Sequence, residues 1–267
     1  MADFLGDPRF PSKAMRNPSR ALKIEYFQGL YKQYTRLDFT RFSDRPFAIA
    51  GLEKRLRGAF DTRGGFGIFD DGDRSHIDNG LFHRSLLWKR SEDDDEVREE
   101  VKEGKEPVMK WLEPIGGNVW VPSWSWMAYK GAIDYTDPPY GTADWETKEV
   151  IPPWTRGRKD TTQQEVGDIA LMAVVRDFNV AGSRPGDCKL TYDRERTTAL
   201  DGQRAQCVIV AKSKEPKEER MKRFFVLLVV AQVVAEGEEK GYQRTGVGVM
   251  LGKFISLGKD GVAAKIV

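Results

Sequence analysis

A change of period constrains this fold more than any other feature. Before Trp111 the apolar residues recur at about 3.6 residues, the helical spacing; after it they recur at about 2, the strand spacing. That split predicts an α+β chain, with N-terminal helices packed on a C-terminal antiparallel β-sandwich or partly closed barrel. The boundary follows directly: 1–110 is a helical segment with an irregular lead-in and a charged loop, and 111–267 is the β-body.

Two long helices are expected in the first part. From Ser19, the residues Leu22, Tyr26, Leu30 and Tyr34 recur at i+4, widened by Ile24, Phe27 and Tyr31. A second helix starts at Ser43 or Asp44 with Pro46 in its first turn, buries Phe47, Leu52, Leu56 and Phe60, and ends near Asp61. Glycine-rich 64–69 reads as a short strand or turn, and a third helix runs through Leu81, Phe82, Leu86, Leu87 and Trp88. The charge run 92–106 reads as a solvated loop. Strands are expected at 119–126, 127–135, 169–178, 189–192, 206–212, 224–231, 243–250, 254–257 and 262–267. The proline-containing connection 136–167 reads as a long loop, and 212–223 as a charged hairpin loop.

The seam between the two parts reads Val121-Pro-Ser-Trp-Ser-Trp-Met-Ala-Tyr129. In a strand, Trp124 and Trp126 would share one face and Ser123 and Ser125 the other. Two roles fit such rings: a core wall, or an exposed platform for a sugar, base or peptide. The position at the seam favours the wall. As a platform, Trp124 and Trp126, with Trp145 and Trp154 from the following connection, would form the ligand or partner contact.

Composition narrows the function classes. The 43 basic and 41 acidic residues nearly cancel, so no basic stripe argues for nucleic acid. The longest apolar run, 224–235, is too short for a membrane helix. Two cysteines, Cys188 and Cys207, suit buried small hydrophobes in a reducing, cytoplasmic setting. The residues Asp70, Asp71, Asp73 and Asp78 lack the spacing of a calcium loop, and His83 and Ser85 diverge on a helix. Gly246-x-Gly248-x-x-x-Gly252 has the wrong spacing and context for a dinucleotide loop. No catalytic residue, metal ligand or cofactor is assigned.

Several segments combine into a recognisable order: Tyr34-Thr-Arg-Leu-Asp-Phe-Thr40, Ser43-Asp-Arg-Pro-Phe-Ala-Ile-Ala-Gly-Leu52, Leu81-Phe-His-Arg-Ser-Leu-Leu-Trp88 and the Pro-Ser-Trp-Ser-Trp segment. Phe225-Val-Leu-Leu-Val229 and Tyr242-Gln-Arg-Thr-Gly-Val-Gly-Val249 follow. This set resembles fungal heterokaryon-incompatibility (HET) domain proteins, over the part after their N-terminal, TIR-like signature half. The resemblance implies a chain without that half, so none of its nucleotide-cleaving chemistry carries over. The expectation is a non-enzymatic accessory or regulatory module that works by protein contact or self-association. It would serve self/non-self recognition or cell-death signalling. A ligand-binding β-domain and a hydrolase built from scattered carboxylates are the alternatives.

Overall fold

The computed structural model describes residues 20–37, 44–70, 80–91, 121–154, 169–193, 205–232, 241–258 and 260–267. The expectations for 1–19, the 92–106 charge run, Trp111, and Asp71, Asp73 and Asp78 lie outside these residues. Three helices are described: α1 (Arg20–Tyr34), α2 (Arg45–Phe60) and the short α3 (Leu81–Leu86). Twelve strands accompany them. β1 (Arg63–Gly65) and β2 (Ile68–Asp70) form one hairpin, and β3 (Trp88–Arg90) pairs with β4 (Ile133–Tyr135) in a second small sheet. The main sheet holds β5 (Ala143–Trp145), β6 (Val150–Ile151), β7 (Leu171–Asp177), β8 (Cys188–Tyr192), β9 (Gln206–Ser213), β10 (Arg223–Ala231), β11 (Gly241–Leu251) and β12 (Val262–Ile266).

Five of these strands close on themselves. β7 pairs with β9, β9 with β10, β10 with β11, β11 with β12, and β12 returns to β7. The result is a barrel rather than a sandwich. A ring with an odd number of strands cannot alternate direction all the way round. One neighbouring pair must run parallel, and that pair is β11–β12, joined at Gly241–Lys265 and Tyr242–Ile266. β5, β6 and β8 are appended to β9, β7 and β11.

β9 and β10 read as unbroken apolar runs because both their faces are buried. Val208, Val210, Phe225, Leu227 and Val229 join the large cluster that also holds Phe27, Leu56 and Trp126. Cys207, Ile209, Phe224, Val226 and Leu228 face a smaller cluster, flanked by Cys188, Leu190 and Phe254. Two bulges bend this sheet. In β9, pairing steps from Phe225↔Ala211 to Val226↔Ile209 and leaves Val210 over. In β11 it steps from Leu228↔Gly246 to Val229↔Arg244 and leaves Thr245 over.

The helices differ in detail from their sequence patterns. α1 turns Ile24, Phe27 and Tyr31 fully inward, while Tyr26, Leu30 and Tyr34 sit at the margin of the core. α2 buries Ile49, Leu52, Glu53, Leu56 and Phe60, and Phe47 points out. Asp44 precedes α2 with helical backbone angles and makes no side-chain cap. α3 stops at Leu86, so Trp88 begins a strand. The expected loop 136–167 contains β5 and β6. The segment expected as strand 254–257 is instead a 3₁₀ turn, Gly252–Phe254, followed by a lone bridge at Ile255. The hairpin loop after β9 carries a 3₁₀ turn at Glu219–Met221.

Candidate functional site

The segment after Val121 is no strand. Ser125 N–H bonds back to Pro122 O at 3.0 Å, and a 3₁₀ turn follows at Trp126–Ala128. The turn has a local cause. Pro122 cannot donate to a ladder, and Ser125 caps the 3₁₀ turn by accepting from Met127 N–H at 3.0 Å. Ser125 Oγ also donates to Phe66 O at 2.6 Å. Because the backbone curls, the two indoles diverge instead of sharing a face. Trp126 meets α1, with Tyr31 at 4.9 Å and Tyr34 at 6.2 Å between ring centres. Trp124 stands edge-on to Trp154 at 6.2 Å and to Phe66 at 6.2 Å.

Trp154 continues the layer to Phe82, and Trp145 lies against His83 at 5.7 Å. All four tryptophans singled out from the sequence are thus buried in one aromatic layer. Trp124 and Trp154 touch; Trp126 and Trp145 occupy its two ends. Glycines make room for these ends. Gly67 (φ +76) and Gly80 (φ +54) adopt left-handed backbone, and a Cβ on them would land on the Trp126 and Trp145 indoles. The ring N–H groups of Trp124, Trp145 and Trp154 have no hydrogen-bond partner among the described residues.

Beside this layer lies a buried ion pair that sequence patterns did not single out. Arg244 and Asp193 have side chains at 0% exposure, with Arg244 Nε donating to Asp193 Oδ2 at 2.8 Å. Arg244 Nη1 donates to Leu86 O at 2.8 Å and Nη2 to Trp88 O at 2.5 Å. Its guanidinium lies 3.4 Å from the centre of the Trp88 ring, and Trp88 Nε1 donates to Trp124 O at 2.9 Å. The β11 bulge at Thr245 immediately follows Arg244 and re-aims the strand there. Asp193 is set by its own N–H, which donates to Thr245 O at 2.8 Å. The Leu86 carbonyl at the end of α3 is one of the acceptors a short helix leaves unsatisfied. Ser123 completes the junction: its Oγ accepts from Arg244 N–H at 2.9 Å and donates to Val267 O.

Two further polar groups lie under the helices. Arg84, buried between Tyr140 and Trp145, donates to Asp137 Oδ2 at 3.0 Å and to Pro138 O at 2.8 Å. Burial raises the Asp137 carboxyl above its ordinary range, opposed by Arg84 and the Gln28 amide. Glu53 on α2 accepts from Gly67 N–H at 2.6 Å and Tyr31 O–H at 3.3 Å, and burial pushes it up to about 7. Burial likewise pushes the Cys207 thiol up to about 12, the state of an inert core cysteine. Cys188, in contrast, is only half-buried.

The other sequence candidates fall elsewhere. Gly246 and Gly248 lie within β11 where β8 approaches so closely that a Cβ would strike its backbone or Leu190. Asp70 is buried at the end of β2. His83 Nε2 is 3.2 Å from Glu146 O, while Ser85 Oγ donates to Leu81 O within α3. Among the described residues no group of three or more His, Cys, Asp or Glu is placed to hold a metal, and no helix is long and apolar enough to cross a membrane.

One signal for Arg244 was present in the sequence: a lone arginine inside the apolar strand 241–251. A charge there requires a buried partner. Nothing local identifies Asp193 as that partner, 51 residues away.

Comparison of the chain with protein-family models, with curated proteins and with solved structures gives no match.

Proposed function

We propose that this chain is a non-enzymatic, HET-like accessory or regulatory module that acts through protein contacts, including contacts with its own copies, in the cytoplasm. The observation that carries the reading is the outer surface of the helical layer. Leu37, just past α1, is 51% exposed, and Phe47, on the first turn of α2, is 40% exposed. Large apolar side chains left in water are the material of protein interfaces. We read the helices as packed on the barrel through the tryptophan layer, so that this outer surface is held rigid.

The segments that carry the resemblance meet inside the protein. Tyr34 touches Trp126, Trp88 bonds to Trp124 O, and Arg244 bonds to Leu86 and Trp88. Segments far apart in sequence therefore converge on one junction. A role in fungal self/non-self recognition or cell-death signalling follows from that resemblance alone.

Light scattering on size-exclusion fractions across a concentration series tests the reading. The wild-type chain is expected to self-associate, and a Leu37→Asp, Phe47→Asp double substitution to restore the monomer. A wild-type monomer at every concentration, or steady turnover of nicotinamide dinucleotides or esters, would sink it.

A second reading is favoured by the three tryptophan N–H groups without described partners. They suit a ligand rich in acceptors, such as a glycan or nucleotide, entering the aromatic layer. Titration watched by tryptophan emission discriminates. A saturable shift favours this reading; no change across a broad panel removes it.

A further inference from the structure

We propose that the outer face of α2 pairs with the same face of a second copy of this chain, antiparallel about a two-fold axis at Gly51. The pairing rests on the self-association proposed above and assigns it a contact. Helical spacing puts Phe47, Gly51, Lys54 and Gly58 in one line along α2, with Ala48 and Arg55 beside it. All six are exposed. The opposite side of the helix, Ile49, Leu52, Glu53, Leu56 and Phe60, is buried. The outer line is therefore a helix face turned to solvent, with a large aromatic side chain at its start.

Charge selects the occupant and its direction. The acid within α2, Glu53, is buried, so no carboxylate stands on the outer line. The N-terminal end instead carries exposed Asp44 just before the helix, next to Phe47. Lys54 and Arg55 stand two turns further on and make no ion pair among the described residues. One end is thus acidic and aromatic, and the other is basic. An antiparallel copy centred on Gly51 sets position 44 against 58, 47 against 55 and 48 against 54. Asp44 then comes within a turn of the partner's Arg55, and Phe47 offers its ring to the same guanidinium. A parallel copy would set basic end against basic end. The axis residue suits a crossing. Nothing lies within 4 Å of where a Gly51 Cβ would be, so packing inside the chain does not require glycine there. Glycine weakens a helix interior relative to alanine, and its use is close approach of another backbone.

A single helix crossing covers less than the about 1,200 Å² of a standard interface, so the pair is weak and is measured at high protein concentration. Sedimentation equilibrium of the intact chain at low salt tests it. Wild type is expected to show a monomer–dimer equilibrium that weakens as salt is added. In a two-fold pair every substitution acts twice. Arg55→Asp alone and Asp44→Lys alone should each weaken the dimer about tenfold, and the two together should restore it. Gly51→Gln favours the helix and has open space in the monomer, so it keeps the fold, yet it blocks the crossing and should also weaken the dimer about tenfold or more. A dimer indifferent to Gly51→Gln, or a charge-exchanged double variant no tighter than the single ones, overturns the pairing and leaves the self-association reading standing. A wild-type monomer at every concentration overturns both.

Discussion

Arg244 shows how one side chain can couple distant parts of a chain. It reaches Asp193, Leu86 and Trp88 while its own N–H is bound by Ser123. In a fully buried site, each partner is needed because the charge cannot turn to bulk solvent. Asp193→Ala strands the guanidinium and is expected to cost about 3–5 kcal/mol of stability in urea unfolding. An Arg244→Met, Asp193→Leu pair removes both charges and should cost less than Asp193→Ala alone. If the double variant is the less stable of the two, the ion pair is net stabilising and this account of it is wrong. At this scale the sequence was least informative. In a strand Trp124 and Trp126 would share one face, but Pro122 and the Ser125 cap curl the backbone instead. Glu53 was hidden among the exposed charges of α2 because burial of a single polar residue leaves no periodic trace.

Among elements, the β1–β2 turn carries the most constrained backbone. Phe66 has φ +55 and Gly67 φ +76, both in the left-handed region. Gly182 has nearly the same angle, φ +75, but open space around it. The two glycines separate backbone strain from crowding. Gly182→Ala should cost about 1–2 kcal/mol from strain alone. Gly67→Ala carries the same strain and also pushes into Trp126, adding about 1–3 kcal/mol of overpacking. Thermal unfolding of both variants measures the difference; equal losses would show that Trp126 yields freely. Elements with strong periodic signals were legible. α1 and α2 and the strands β7 to β12 fall close to their predicted ranges. The short strands β3, β5 and β6 were not, since two or three residues give no period to read.

For the whole molecule, the five-stranded ring depends on the strand that joins two others. β12 is bonded to β7 along its length and to β11 at its end, and Val267 beyond it bonds to Tyr242 O and Ser123. Closure, and the parallel pair it requires, could not be read from sequence, because which strands meet depends on contacts between distant residues. One large cluster of buried apolar side chains runs from Ile24 to Ile266. Urea unfolding followed by tryptophan emission and by far-ultraviolet circular dichroism should therefore give coincident transitions. Two separated midpoints would divide the chain at the 110/111 boundary instead.

The same ring sets a timetable. A ribosome delivers β7 long before β12, and the closing pairs are made across about ninety residues of chain. Until then the apolar faces that will line the ring, including Val175 and Ala264's future neighbour Ala173, have no cover. A nascent chain paused just short of Val262 would present open strand edges to chaperones and to other copies of itself. Pairing of β12 with β7 and β11 therefore covers edges that would otherwise invite aggregation.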